Sequence, residues 1–394
     1  MEPVSVYLHI PFCRHRCGYC DFNTYAGKEA LIGAYAQALA QEVAYTRRGS
    51  SERIPVHSIY FGGGTPSLVP LEGLDQVIKA LVDTFAIDSA AEITLEVNPG
   101  TVDLAYMHGL KSLGVNRISM GVQSANPVEL RILERQHGYG DAIQAVKYAR
   151  QAGFDNLSID LIFGLPGQGM ASWQHNLELG LGLNPEHVSL YALTIEFGTP
   201  LEKMIERGLL QLPDNDLAGD MYEWTMDRLQ DEGLIQYEIS NWARRDAQGQ
   251  AMLSRHNSQY WLNRPYFGFG AGAHGYVEGR RTENVLSPAA YIKRMAEPRS
   301  LEFPRTPATI GAKKISRQLE MQETMMMGLR LLQDGVSQSR FADRFGEQLR
   351  DVFPAEIEKF LKAGLLEWGG ADKDQLRLTR RGCLLGNQVF KEFV

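Results

Sequence analysis

The sequence predicts an α/β protein: a partial, TIM-like (β/α)6 barrel followed by a C-terminal, mainly helical domain. In the first half, six short apolar segments alternate with amphipathic stretches of helical length, which is typical of parallel strands with helices outside. Six units are fewer than the eight of a closed barrel, so we expect an open one. The predicted strands are residues 5–10, 58–61, 93–97, 117–122, 157–162 and 188–193. The predicted helices between them are residues 31–47, 71–84, 103–113, 141–152 and 173–183.

Three parts are expected along the chain. Residues 1–200 would form the barrel, 201–305 an extension of it, and 306–394 a C-terminal helical domain. The tail has the helix-then-hairpin order of a winged helix, with residues 365–378 as the hairpin. Residues 304–307 begin and end with proline and are typical of a linker.

Charge and composition narrow the class of protein. The chain is 44% hydrophobic and 22% charged, with a net charge of −7, and from residue 313 onward it has 14 basic and 12 acidic residues. This balance argues against nucleic acid as a partner. The sequence has no apolar run of membrane-spanning length and no secretory pattern, so we expect a cytoplasmic protein. Contact with the inner face of a membrane stays open.

Three of the four cysteines lie within eight residues. Cys13, Cys17 and Cys20 directly follow the first predicted strand with the spacing C-x3-C-x2-C. Soft thiolates spaced in this way on one loop favour an iron–sulfur cluster. Two alternatives are a zinc site completed by His9 or His15, and three unrelated buried cysteines.

Polar residues follow the later strands at the same barrel end, where barrel proteins place their functional groups. They are a Gly-Gly-Gly-Thr-Pro run at residues 62–66, Glu96, Gln123 and Asp160. Asp160 lies in an apolar run and needs a partner, for which Arg135 or a ligand amine is a candidate. Two carboxylates, an amide and glycine backbone suit a zwitterionic ligand that carries a ribose.

These motifs together resemble the radical S-adenosylmethionine superfamily. The resemblance rests on the cysteine spacing, the glycine run, and the segments at residues 95–100, 121–124 and 159–166. It is closest to the branch that contains oxygen-independent coproporphyrinogen III dehydrogenase and the haem chaperones. It implies a 4Fe-4S cluster on the three cysteines, whose open iron binds S-adenosylmethionine. In active members, one electron from the cluster cleaves the sulfonium. The cofactor contacts that the resemblance implies are Tyr7, Tyr19, Gly63, Gly64, Thr65, Glu96, Gln123, Arg135 and Asp160.

Two departures separate this chain from the coproporphyrinogen enzyme. Phe22 stands where that enzyme has a further cysteine, and Cys13 lies almost at the start, where that enzyme has an extension. Instead, residues 256–261 read His-Asn-Ser-Gln-Tyr-Trp, which is similar to the H-N-x-x-Y-W motif of the haem chaperones. The resemblance thus implies a haem chaperone that binds haem and passes it to acceptor haemoproteins. The alternative is coproporphyrinogen III decarboxylation, and the acidic charge disfavours a third option, radical modification of RNA.

The motif supplies the haem candidates. Imidazole is a usual axial ligand of haem iron, and aromatic rings can stack beside a macrocycle. The alternative is a structural role, in which His256 and Trp261 close the open side of the barrel and the histidine is hydrogen-bonded in the core. Cys383 is a weaker ligand candidate. The haem candidates are His256, Tyr260, Trp261 and His274.

Overall fold

The computed structural model describes residues 2–47, 52–297 and 300–394. Contacts divide the chain into two compact units: residues 1–221 with 265–314, and residues 222–264 with 315–394. Compactness does not show independent folding, so the three-part division at residues 200 and 305 stays a prediction.

The strands and helices are as follows. The strands are β1 Val4–Ile10, β2 Phe12–Cys13, β3 Tyr25–Ala26, β4 Pro55–Gly63, β5 Ala86–Val97, β6 Arg117–Gln123, β7 Leu157–Phe163, β8 His187–Ala192, β9 Ile235–Glu238, β10 Asn241–Ala243, β11 Tyr266–Phe269, β12 His274–Val277, β13 Arg280–Asn284, β14 Thr309–Lys314, β15 Val336–Ser337, β16 Leu366–Gly369 and β17 Gln375–Leu378. The helices are α1 Ile32–Thr46, α2 Leu71–Thr84, α3 Leu104–Ser112, α4 Pro127–Ile132, α5 Tyr139–Gln151, α6 Met170–Gly182, α7 Pro200–Glu206, α8 Asn215–Asp231, α9 Arg255–Trp261, α10 Pro288–Ala296, α11 Arg317–Gly328, α12 Gln338–Phe345, α13 Leu349–Val352, α14 Pro354–Lys362, α15 Arg380–Leu384 and α16 Gly386–Phe390.

The first unit has the predicted parallel sheet. Its strands follow the order β14-β13-β12-β11-β1-β4-β5-β6-β7-β8, and β1, β4, β5, β6, β7 and β8 are mutually parallel. These strands are buried on both faces, because helices cover one face and inward side chains fill the other. In β1 and β7 only the central residue, Tyr7 or Asp160, is partly accessible. The six predicted strands are therefore confirmed, within three residues at their ends except that β5 begins seven residues earlier than predicted.

Beyond β1 the sheet continues with strands that the sequence did not predict. β11 runs parallel to β1, and β12, β13 and β14 then add antiparallel. These strands are short and rich in glycine or charge, so they lack the apolar runs that identified the barrel strands.

The segment interpreted as a linker is packed against the barrel instead. Thr306 is buried and donates to the carboxylate of Glu42 on α1 at 2.6 Å. Tyr291 and Asn284 also donate to Glu42, at 2.6 and 2.8 Å. A buried carboxylate requires such donors, and the segment between the two prolines supplies one of them. The segment is therefore part of the packed first unit, and the linker interpretation is wrong.

The second unit has its own apolar core. β9 pairs antiparallel with β10, and a three-stranded sheet has the order β15-β17-β16. β16 and β17 form the hairpin predicted at residues 365–378. Helices α11, α12 and α14 pack here through Met325, Phe341 and Phe360, which are all buried. Within the described ranges, no helix is both long and apolar enough to cross a membrane.

Candidate cluster and cofactor site

The cysteine loop leaves the end of β1 and folds back on itself. β2 pairs in parallel with β3, and the amide of Cys20 donates to the carbonyl of Cys17 at 3.1 Å. Each sulfur has a polar neighbour: Thr65 Oγ1 lies 3.6 Å from Cys13 Sγ, Arg135 Nη1 3.5 Å from Cys17 Sγ, and Thr24 Oγ1 4.0 Å from Cys20 Sγ. Donors placed in this way stabilise thiolates, which are the form that binds iron.

The thiols are partly sheltered but none is in a disulfide. Burial raises the pKa of Cys13 and of Cys20, so metal binding at neutral pH would release protons from both. Among the described residues, no three His, Cys, Asp or Glu side chains converge on the position of a single metal ion.

The histidines proposed as a fourth zinc ligand have other partners. His9 Nε2 donates to the carbonyl of Asn23 at 2.9 Å, so its Nδ1 accepts from Tyr7 Oη at 2.9 Å. His15 Nε2 lies 3.1 Å from the carboxylate of Glu134. Both ring nitrogens of His9 are thus used, and the donor set beside the loop favours the three-cysteine cluster.

The glycine run after β4 packs tightly against the cysteine loop. A Cβ on Gly64 would lie 2.7 Å from the carbonyl oxygen of Phe12 and 3.0 Å from Cys13 Sγ. Gly63 has φ +115°, and a Cβ there would lie 2.6 Å from the His9 ring. The amides of Gly64 and Thr65 donate to the carbonyls of Ile10 and Phe12, both at 2.8 Å, and only glycine lets this backbone pack so closely against the cysteine loop.

Glu96 lies at the centre of the barrel mouth. It accepts from Tyr60 Oη at 2.8 Å and from the amide of Gly63 at 3.0 Å. Burial raises its pKa to about 7, aided by the nearby charge of Asp160 and opposed by both hydrogen bonds. Tyr7 and Tyr60 stack with ring centroids 6.2 Å apart, forming an aromatic wall beside the carboxylate.

Asp160 is the second inward carboxylate. It accepts hydrogen bonds from Ser189 and, at 3.5 Å, from Ser119. Burial raises its pKa to about 6, against the lowering effect of these bonds and of two arginines. The hydrogen bonds of its predicted partner, Arg135, go instead to Cys17 and to the carbonyl of Gly121 at 2.8 Å. Arg135 therefore acts on Asp160 through its charge.

A bulge at the end of β6 sets the position of Gln123. The pairing of β6 with β7 shifts register between Gly121 and Gln123, and Gln123 has φ +68°. Such a conformation in a non-glycine residue is strained and occurs often at functional sites. A Cβ on Gly121 would lie 2.9 Å from Gln123 Nε2 and 3.2 Å from Arg135 Nη2, so Gly121 makes room for both side chains.

Sequence reasoning missed Tyr60 and Gly121 in this site, and it considered His9 only as a zinc ligand. The sequence did offer a signal for such residues. Side chains alternate along a strand, so residues two apart point to the same face. Tyr60 lies two residues before Gly62, and His9 two residues after Tyr7. The nine predicted cofactor contacts all lie in the first unit. Tyr19 packs beside Leu133, Ile162 and Leu165, and its ring completes one wall.

Two buried polar atoms near the site make no hydrogen bond within the described part of the chain. Arg135 Nε is buried without a hydrogen-bond partner among the described residues, as is Thr94 Oγ1. Together with the thiols, the glycine turn and two carboxylates, these atoms fit an iron–sulfur cluster and S-adenosylmethionine. When bound, those groups supply one-electron chemistry. The chain would then contribute thiolates from the three cysteines, carboxylate acceptors for an ammonium or ribose from Glu96 and Asp160, and aromatic side chains beside them.

The haem candidates lie in both units. In the second, His256 is 1% exposed, and its Nε2 lies 3.0 Å from Tyr260 Oη. The guanidinium of Arg330 lies 4.3 Å from the ring centre of Trp261. Binding of iron by His256 Nε2 would therefore require Tyr260 to give up this contact. His274, in the first unit, is exposed.

The weaker candidate, Cys383, is partly buried. It donates to the carbonyl of Thr379 at 3.3 Å. Burial raises its pKa to about 11, which disfavours the thiolate that would bind iron.

The chain matches two family models, the radical SAM superfamily over residues 7–180 and the HemN C-terminal domain over residues 315–385. It is 37% identical to the haem chaperone HemW of Bacillus subtilis, over 99% of each chain. It is 35% identical to the haem chaperone HemW of Lactococcus lactis, over 100% of this chain and 98% of the relative. Its fold is similar to that of coproporphyrinogen III oxidase (HemN) from Escherichia coli, with a TM-score of 0.82, 23% identity, and coverage of 99% and 90%.

Proposed function

Since the chain belongs to the HemW family within the radical S-adenosylmethionine superfamily, we propose that it is a haem chaperone. It binds haem, a 4Fe-4S cluster and S-adenosylmethionine, and it delivers haem to acceptor haemoproteins in the cytoplasm or at the inner face of a membrane. The observation that carries the proposal is 37% and 35% sequence identity to two haem chaperones over essentially the whole chain. Phe22, at the position of a cysteine in the coproporphyrinogen enzyme, supports it.

The first unit supplies the cluster and cofactor site of this proposal. Cys13, Cys17 and Cys20 hold the cluster, and the glycine turn packs closely against the loop that carries them. Glu96 and Asp160 accept hydrogen bonds from the polar groups of S-adenosylmethionine. Arg135 fixes the loop by donating to Cys17 Sγ and to the carbonyl of Gly121. In this proposal the cluster serves the binding and transfer of haem and does not serve decarboxylation of coproporphyrinogen III.

The test is anaerobic reconstitution of the cluster, followed by haem titration and transfer. We expect a saturable haem spectrum and passage of haem to an apo-haemoprotein that is added in excess. A protein that shows neither would contradict the proposal.

A parallel incubation tests the alternative activity. The reconstituted protein is mixed with coproporphyrinogen III, S-adenosylmethionine and a reductant. We expect no protoporphyrinogen IX. Its formation would establish decarboxylation and overturn the chaperone assignment.

A further inference from the structure

We propose that haem docks on a face of the first unit formed by Phe22, His274 and Leu286, with His274 as the axial ligand of the iron. This haem-docking face lies beside the cluster loop. The inference rests on the proposed function, because it names the site at which the cargo binds.

Topology brings His274 to the mouth of the barrel. β11 runs parallel to β1, so its last residue, Phe269, lies at the same end as the cysteine loop. β12 then returns antiparallel, and His274 is its first residue. The charge of His274 also lowers the pKa of His9, after the larger effect of burial, so the two side chains interact electrostatically.

Glycines hold the intervening turn close to the cluster loop. A Cβ on Gly270 would lie 2.5 Å from the carbonyl oxygen of His9, and one on Gly272 would lie 2.3 Å from Asn23 Nδ2. Asn23 Nδ2 donates to the carbonyls of Ala271 and Leu286, both at 3.0 Å. One side chain of the cluster loop thus joins the segment before His274 to the segment that ends in Leu286.

An exposed apolar side chain lies on each of two chain segments that meet at Asn23. Phe22, the neighbour of Asn23, is 64% exposed, and Leu286 is 51% exposed. Asn23 bonds to the carbonyl of Leu286, so the segments that carry the two side chains adjoin, and a flat ligand seated there would remove apolar area from water. Arg16 donates to the carbonyl of Phe22 at 3.4 Å, so an exposed cation lies at the edge of the apolar pair.

These groups match the chemistry of haem. A flat apolar macrocycle covers Phe22 and Leu286, a carboxylate of the macrocycle pairs with Arg16, and the iron takes an imidazole nitrogen from His274. His256 is less suited, since it is 1% exposed and contacts Tyr260. The proposal also gives Phe22 a role, because a phenylalanine at this position adds apolar area for haem beside the cluster.

The experiment uses the cluster-loaded chain with haem as the probe, comparing His274→Ala, His256→Ala and His175→Ala. His175 is exposed on α6 and serves as the control. We expect His274→Ala to lose the imidazole-ligated haem spectrum and to bind haem roughly tenfold or more weakly. Its iron and sulfide content should equal that of the unsubstituted protein. Free imidazole should restore the spectrum, which loss of folding would not allow. His175→Ala and His256→Ala should bind as the unsubstituted protein does.

A second pair of variants tests the apolar part of the face. Phe22→Ser and Leu286→Ser should weaken haem binding while leaving the ligand spectrum unchanged. If His274→Ala keeps the spectrum and affinity, or if only His256→Ala loses them, this inference falls and the chaperone function stands. If the unsubstituted chain binds no haem, the proposed function itself falls.

Discussion

At the scale of the residue, the site depends on two carboxyl groups whose ionisation is costly. Glu96 and Asp160 lie in one polar interior, and burial raises their pKa values to about 7 and about 6. Each is therefore partly protonated near neutral pH in the ligand-free chain. A cationic or hydroxyl-bearing ligand favours the ionised form, so ligand binding and proton release are coupled.

The first prediction is that S-adenosylmethionine binding strengthens as pH rises. A ligand that requires ionised Glu96 should lose about tenfold in affinity for each pH unit below a pKa of about 7. Glu96→Gln should bind more weakly at pH 8 and lose this pH dependence. Calorimetric titration of the anaerobic, cluster-loaded protein at pH 6, 7 and 8 measures the effect. Equal affinity at all three values would contradict it.

The second prediction concerns the stability of the ligand-free chain. Between pH 4.5 and about 7, the folded state holds more protons at Glu96 than the unfolded state does. This carboxyl therefore lowers the free energy of unfolding as pH rises, by up to about 3 kcal/mol. Glu96→Gln should remove this contribution. Urea unfolding at pH 5 and pH 8 compares the free energy of unfolding of the variant with that of the unsubstituted protein. A pH dependence that is the same in both proteins would show that the carboxyl does not titrate in this window.

At the scale of the element, buried carboxylates join segments that are distant in sequence. In the second unit, Glu238 at the end of β9 is fully buried and lies 3.6 Å from the guanidinium of Arg330. Arg330 also covers Trp261, the last residue of α9, at 4.3 Å. The turn after α11 is therefore fixed to both β9 and α9. Glu42 has the same role in the first unit, where it joins α1 to the strands beyond β11.

The third prediction is that Arg330→Met destabilises the second unit by about 3 kcal/mol, because it leaves Glu238 buried without its cation. The double variant with Glu238→Gln should recover part of the loss. Arg350→Met is the matched control, since Arg350 covers Trp368 at 4.2 Å. Loss of that exposed contact should cost about 1 kcal/mol or less. Urea unfolding measures all three, and equal losses for Arg330→Met and Arg350→Met would contradict the role of Glu238.

The fourth prediction is that Glu42→Ala lowers the free energy of unfolding by about 3 kcal/mol or more, because four donors lose their acceptor. Glu42→Gln should cost less, since its amide oxygen still accepts. Glu72→Ala on α2, where the carboxylate is exposed, should change stability by less than about 1 kcal/mol. Thermal unfolding compares them, and a Glu42→Ala variant as stable as Glu72→Ala would contradict this account.

At the scale of the whole molecule, the two compact units hold different chemistry. The three cysteines proposed to hold the cluster and all nine predicted cofactor contacts lie in the first, whereas the second has a separate apolar core built around Met325, Phe341 and Phe360. Loss of the cluster should therefore leave the second core intact.

The fifth prediction follows from this separation. Cys17→Ser should lose iron and S-adenosylmethionine binding but keep native amide exchange protection in the second unit. Cys383→Ser is the control and should keep its iron, because Cys383 bonds to Thr379 within the second unit. Iron analysis and hydrogen exchange measure both. Exposure of Phe341 and its neighbours in Cys17→Ser would show that the cluster also stabilises the second core.

The sequence by itself determined the barrel and the family. Buried parallel strands read as apolar runs, and the cysteine spacing and glycine run are local patterns, so the six strands and the resemblance could be recognised without coordinates. The tertiary structure decided contacts between distant segments. These are the place of Thr306 beneath α1, the hydrogen bonds of Arg135, and the bond from Asn23 to Ala271 in the segment before His274. Such contacts depend on how strands are ordered in space, which no local pattern records.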